Sequence, residues 1–295
     1  MMQEKVPGAK AKRSPDHLPG GQMDPSYLQS AEMLEDQEAL IHPTREAGED
    51  PVTSTVILTF TQPDYQALCR LAEAHEQPRQ VWGCACRPAT WKGTPLTLAA
   101  PALGAPYAAM ILEKLIALGA PYAAMVLEKL IALGARRVVA LGWCGSLSPK
   151  VRIGDLILPS QAISGDGTSP HYCREPGGIL PHRGLSELMS ASLQSAEVPW
   201  HSGPVRSTDA FYRETRGLVK SCQQRGILGI DLELAALFAV GRFRRIAVAA
   251  LLVVSDELFT LHWQPAKGSQ AFRAGRHAAL RLVLEVAAKA EGNHV

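Results

Sequence analysis

The chain has 295 residues, of which 46% are hydrophobic and 20% charged, and its formal net charge is +2. That composition suits a soluble globular protein, and so small a charge excludes nucleic acid or a membrane surface as the expected partner. No apolar run approaches the ~20 residues a bilayer-crossing helix needs, and the opening MMQEKVPGAKAKRSPDHLPGG lacks the apolar core of a secretory signal, so the expected location is cytoplasmic.

Residues 1–50 are polar and rich in Pro, Gly and charge, the pattern of a mobile N-terminal extension, with a short helix expected within Tyr27–Ile41. The pattern changes at Val52, and residues 51–295 read as one α/β domain. VILTF (56–60) predicts a strand, Asp64–Glu76 a helix, and PLTLAA (95–100), RVVALG (137–142) and DLILP (155–159) further strands. Gly203–Thr208 predicts another strand. IAVAALLVVS (246–255) is the most apolar run and is expected at the centre of the sheet. Helices are predicted at 122–133, 184–196, 209–224, 231–242 and 270–290. Strands alternating with helices point to an α/β fold on a mostly parallel or mixed sheet. The six cysteines fit no zinc spacing and are expected to be reduced, buried thiols. No metal site is expected.

A tandem duplication interrupts this pattern. ALGAPYAAMILEKLI (102–116) is followed directly by ALGAPYAAMVLEKLI (117–131), and only Ile111 and Val126 differ. One continuous helix through both copies would be about 22 Å longer, its apolar face would rotate, and Pro121 would interrupt it. One copy is therefore expected to be extruded or to form an extra short helix.

Two acids stand where acids are unusual. Asp256 ends the most apolar strand, and ligands of open α/β sheets bind at carboxyl strand ends. Glu233 is expected in the first turn of a helix whose N-cap is Asp231. The helix dipole should keep Glu233 ionised, and an ionised carboxylate can accept from two neighbouring hydroxyls, as on a ribose. Gly142-Trp143-Cys144-Gly145 follows a buried strand, and its glycines allow tight turns and close ligand approach. In STDAFYRE (207–214), Asp209 could cap a helix and Phe211 or Tyr212 could face a planar ligand.

Taken in order, GARRVVALGWCGSL, VRIGDLILPSQAI, STDAFY, DLELAAL and VVSD resemble the nucleoside phosphorylase/uridine phosphorylase superfamily, over roughly Val52 to Ala290. The resemblance implies a three-layer α/β/α sandwich around a mixed, partly barrel-like sheet. It implies cleavage of a nucleoside's N-glycosidic bond, by default phosphorolysis to base and ribose 1-phosphate. It further implies a homo-oligomer, with no cofactor and with phosphate as co-substrate. By the same resemblance Glu233 binds the ribose hydroxyls above Leu232, Asp256 protonates the leaving base, and Phe211 and Ser255 lie at the base. The Ser255-Asp256 pair is similar to purine-acting members. Gly142, Trp143, Cys144 and Gly145, with Gly104 of the duplicated loop, correspond to the phosphate-binding turns.

The chain departs from the family at the phosphate anchors. FTQPDY (60–65) stands where an arginine-bearing loop is usual, Ala140 replaces a second arginine, and Trp143 replaces a small hydroxyl residue. Arg87 and His42 are candidate replacements contributed across a subunit contact. A hydrolytic nucleosidase of the same fold and a non-catalytic nucleoside-binding homologue are the alternatives.

Overall fold

The computed structural model describes residues 42–74, 76–81, 83–101, 119–173 and 177–292. The helix expected within Tyr27–Ile41, the first duplicated copy and Gly104 lie outside the described residues.

The first β-branched run forms β1 (Thr55–Thr59), buried along its whole length. It leads into α1 (Gln62–Leu71), whose first turn carries a proline and whose N-cap Thr61 accepts from the Asp64 N–H through its side chain. The helix ends earlier than the predicted Glu76, and Glu73 already has a left-handed φ of 49°. Sequence periodicity did not mark the next two strands, β2 (Arg79–Val81) and β3 (Cys84–Trp91). β3 pairs antiparallel with β4 (Thr94–Pro101) through a turn at Lys92 and Gly93, φ 50° and 82°. Two successive left-handed residues are what a two-residue hairpin turn requires.

The second duplicated copy is α2 (Ala120–Ala132), and Pro121 sits in its first turn, where a missing N–H costs nothing. Gly134, at φ 119°, turns the chain into β5 (Arg137–Ser146). β6 (Leu156–Ile163), α3 (Arg183–Leu193) and β7 (Trp200–Ser207) follow. The helix predicted at 209–224 is split into a 3₁₀ turn, Phe211–Arg213, and α4 (Arg216–Gln224). Thr215, not Asp209, caps α4; Asp209 Oδ2 accepts from the Gly167 N–H at 2.7 Å. Then come β8 (Gly229–Asp231), α5 (Leu234–Arg244), β9 (Ala247–Glu257), β10 (Gln264–Pro265) and α6 (Gln270–Gly292).

The sheet order is β10-β9-β6-β7-β8-β5-β1-β4-β3-β2, and β9 also pairs with β5. That pairing closes β9, β6, β7, β8 and β5 into a barrel, which β1, β4, β3 and β2 extend. β9 is central, as its composition predicted: it runs parallel to β5 and antiparallel to β6 and β10. Helices cover both faces, giving the expected α/β/α layers. α2 and α5 pack on one face through Leu127, Leu130, Leu237 and Phe238. α1, α3 and α6 pack on the other through Leu68, Met189 and Val283. α5 is buried from Leu234 to Gly241, apolar all round rather than striped, as a helix between layers must be. A smaller cluster under α4 includes Val219, Ile230 and Leu258.

Candidate active site

β5, β8 and β9 bring their ends together. Gly145 on β5 is the register partner of Ile230 on β8 and of Asp256 on β9. The β5–β9 register slips between Cys144 and Gly145, a bulge of the kind that re-aims side chains beside sites. The absence of a side chain at Gly145 leaves room for this approach: a Cβ there would stand 2.9 Å from Asp256 Oδ2, which would have to shift. Gly142 is less tightly closed in: its Cβ would stand 3.1 Å from Leu252 and 3.3 Å from Phe60.

Asp256 is 9% exposed. Its Oδ1 lies 2.7 Å from Ser255 Oγ, and its Oδ2 accepts from Trp263 Nε1 at 3.2 Å. Burial pushes the acid above its ordinary value, and those two hydrogen bonds pull against it. Ser255 Oγ also reaches the Cys144 carbonyl at 3.2 Å. The Cys144 thiol is held well above its ordinary pKa by burial, and then by the charges of Asp256 and Asp231 that it faces.

Asp231 closes β8. It accepts from Ser207 Oγ at 2.7 Å and from the backbone N–H groups of Glu233 and Leu234 at 2.9 and 2.7 Å. It was expected at the N-cap but stands two residues before it, and from there it accepts from the N–H groups that open α5. Glu233 is not in the first turn but at the N-cap position itself, φ −131°. Nor does the dipole keep it charged. Burial, and then the Asp231 charge beside it, push Glu233 upward, with only a backbone hydrogen bond from Leu232 opposing. Burial also raises Asp231, but its donors favour its anion. Of this pair, Glu233 carries the proton more readily.

A third carboxyl was not singled out from the sequence. Glu214, half-buried after the 3₁₀ turn, is pushed to about 8 by burial and by the facing charges of Asp256 and Asp231. In the same turn, Phe211 meets Trp263 edge-on at 6.4 Å. Trp263 was missed too, and no local signal marks it: only the return of the chain along β10 brings it over Asp256.

The remaining candidates are scattered. Leu232 is half-buried beside Glu233, and a Cβ on Gly119, just before α2, would stand 3.4 Å from its carbonyl oxygen, so the second duplicated copy begins against this site. Trp143 points away from it. Cys144 packs with the α2/α5 layer, whereas Trp143 packs with the α1/α6 layer. Its Nε1 donates to Asp64 Oδ2 at 2.7 Å, its ring meets Phe272 edge-on at 5.0 Å, and the Arg276 guanidinium, paired with Asp64, lies 5.3 Å from its centroid. The loop that lacks an arginine is thus tied to Trp143 and α6 through a buried acid. Arg87 extends beneath α1, donating to the Ala74 carbonyl at 3.3 Å. His42 is exposed.

A five-strand barrel with acids at the carboxyl ends of β8 and β9 defines the class, an α/β protein of the nucleoside phosphorylase fold. Residues 54–290 match the model of the Phosphorylase superfamily, and the chain belongs to that superfamily. It is 29% identical over 171 residues to a guanosine phosphorylase of Halorubrum lacusprofundi, a match that spans 58% of this chain and 64% of that one. It is 26% identical over 181 residues to a DeoD-type purine nucleoside phosphorylase of Roseobacter denitrificans, spanning 60% and 70%. Uridine phosphorylase from Vibrio fischeri superposes with TM-score 0.66 at 25% identity, covering 81% of this chain and 93% of that one. Purine nucleoside phosphorylase from Toxoplasma gondii shares the fold with TM-score 0.68 at 18% identity, covering 87% and 98%. Among the described residues, no helix is long and apolar enough to cross a membrane.

Proposed function

We propose that the chain cleaves the N-glycosidic bond of nucleosides, purine nucleosides foremost, with phosphate as the default acceptor. The observation that carries this reading is a buried acid, Asp256, at the end of β9, hydrogen-bonded to Ser255 and Trp263 and facing the same Cys144 thiol as Asp231. In its protonated form this carboxyl can give its proton to a ring nitrogen as the bond to the sugar breaks, so that the base leaves neutral. General acid help of this kind contributes about 10²–10⁴-fold. Glu233 would hold the ribose hydroxyls over Leu232, and Phe211 would lie against the base. The names of the relatives, guanosine and purine nucleoside phosphorylases, support the purine preference. No cofactor is needed for this chemistry, and a homo-oligomer is the expected assembly.

A specific observation favours a second acceptor, water. The charges that raise Glu214 and Glu233 are those of other carboxylates, and like charge disfavours a bound phosphate. One experiment tests both readings: a nucleoside panel incubated with and without phosphate, with released base, free ribose and ribose 1-phosphate measured. Purine release that falls by about 10²-fold or more in Asp256→Asn supports the reading. Unchanged turnover in that variant refutes it. Ribose 1-phosphate formed only with phosphate identifies the acceptor as phosphate, and free ribose identifies it as water.

A further inference from the structure

We infer that Trp263 is a positioning residue that assigns the transferable proton of Asp256 to one oxygen, Oδ1. The inference rests on the general-acid role proposed above for Asp256 and adds a residue that neither the sequence motifs nor the family match singles out.

The chain leaves β9 at Glu257 and turns through Leu258 to Leu261, which adopts a left-handed φ of 64°. It then returns antiparallel, with Gln264 opposite Glu257 and Pro265 opposite Asp256. The Ala266 N–H donates to the Ser255 carbonyl at 2.8 Å and secures the return. Trp263 stands just before this pairing. It is 52% exposed, so core packing does not account for its place. The contacts that define its position are the edge of Phe211 and the hydrogen bond to Asp256.

The two oxygens of Asp256 therefore have unlike neighbours. An indole N–H can only donate, so Oδ2 must act as the acceptor. A serine hydroxyl can donate or accept. Ser255 Oγ has one proton and two acceptors within reach, Asp256 Oδ1 at 2.7 Å and the Cys144 carbonyl at 3.2 Å. With Asp256 ionised, Ser255 donates to Oδ1. With Asp256 neutral, Ser255 turns to the Cys144 carbonyl, and Oδ1 carries the proton. On transfer, the O–H bond at Oδ1 breaks, the proton joins the lone pair of a ring nitrogen, and the glycosidic bonding pair stays with the departing base. Ser255 then swings back, leaving the carboxylate with one donor on each oxygen. The ionisable groups facing Asp256 are Glu214 from the segment after the 3₁₀ turn and the Cys144 thiol from β5, with Asp231 of β8 beyond. Glu257 is engaged elsewhere, with Arg152 and the Ile153 N–H.

Trp263→Phe keeps a ring and removes the donor. Two readouts follow: the Asp256 titration in ligand-free protein by carbon-13 carboxyl NMR, and the pH profile of kcat/KM. Losing a hydrogen bond that favours the anion should raise the Asp256 pKa by roughly one unit. The alkaline limb of kcat/KM should move up with it, because the acid keeps its proton to higher pH, while kcat falls because the proton is no longer confined to Oδ1. Trp263→Ala should show the same titration shift and a higher KM as well, from lost contact with Phe211. An unmoved titration and an unmoved alkaline limb in both variants overturn the inference, even if kcat or Tm falls, since a purely structural residue gives that result. If the wild-type chain releases no base but the NMR shift is present, the proposed nucleoside cleavage fails while the placement of the proton stands.

Discussion

Gly145→Ala probes the geometry of the site with the smallest possible addition. The new methyl would stand 2.9 Å from both Asp256 Oδ2 and Leu258 Cδ1, and 3.3 Å from Ile230 Cγ2. Ordinary van der Waals contact begins at 3.4 Å, so the neighbours must yield by about 0.5 Å. Leu258 can swing the end of its side chain, but Asp256 Oδ2 is tethered to Trp263, and its displacement strains or breaks that bond. Overpacking of this kind costs about 1–3 kcal/mol, or roughly 2–12 °C in Tm for a domain of this size. A misplacement of about 1 Å can cost ~10²-fold in rate, so half that distance predicts roughly a tenfold loss of kcat. Thermal unfolding and single-substrate kinetics measure both. Gly217→Ala is the control. It lies in α4 with its nearest neighbour, Thr215 Oγ1, at 3.9 Å, and should gain up to about 1 kcal/mol from helix propensity. A Gly145→Ala protein with wild-type Tm and kcat would refute the tight β5–β9 approach and the constrained Asp256.

Other outcomes follow from the same structure. Glu214 has a folded pKa of about 8 against an ordinary 4.5, so the native state binds more protons than the unfolded chain, and the stability this residue contributes falls as pH rises between those values. Glu214→Gln should therefore raise Tm relative to wild type more at pH ~9 than at pH ~5; an equal difference at both would contradict the burial of that carboxyl against Asp256 and Asp231. Asp64→Ala removes a buried acceptor shared by Trp143, Thr61 and Arg276 and should cost about 3–5 kcal/mol, read by denaturant unfolding. A loss below about 1 kcal/mol would mean that this cluster does not hold α1 to α6. Phe238→Ala, at 1% exposure between α5 and the barrel, should cost about 3–5 kcal/mol in the same assay, and a near-neutral result would contradict the layer packing.

Features set by neighbouring residues could be read directly from the chain. The apolar run at 246–255 had to be a buried strand, so the acid that ends it had to stand at a strand end. That Asp231 serves the start of a helix was legible because its side chain reaches backbone groups only two and three residues ahead, although the N-cap itself falls at Glu233. The β3–β4 hairpin left only a Lys-Gly pair as its signal, too short a cue beside a strand interrupted by Pro88. The other properties emerge only on packing, because each depends on residues distant in the chain. Which side of β5 receives Trp143 followed from Asp64 and Phe272. Arg87 donates to the Ala74 carbonyl just beyond α1, a partner 13 residues away. The charge state of Glu233 reversed, because a helix dipole is a local effect of under about 1 kcal/mol at most exposed sites, whereas burial and a facing carboxylate are properties of the packed barrel. The proton on Asp256 likewise depends on Trp263, which meets it only because the chain turns back along β9.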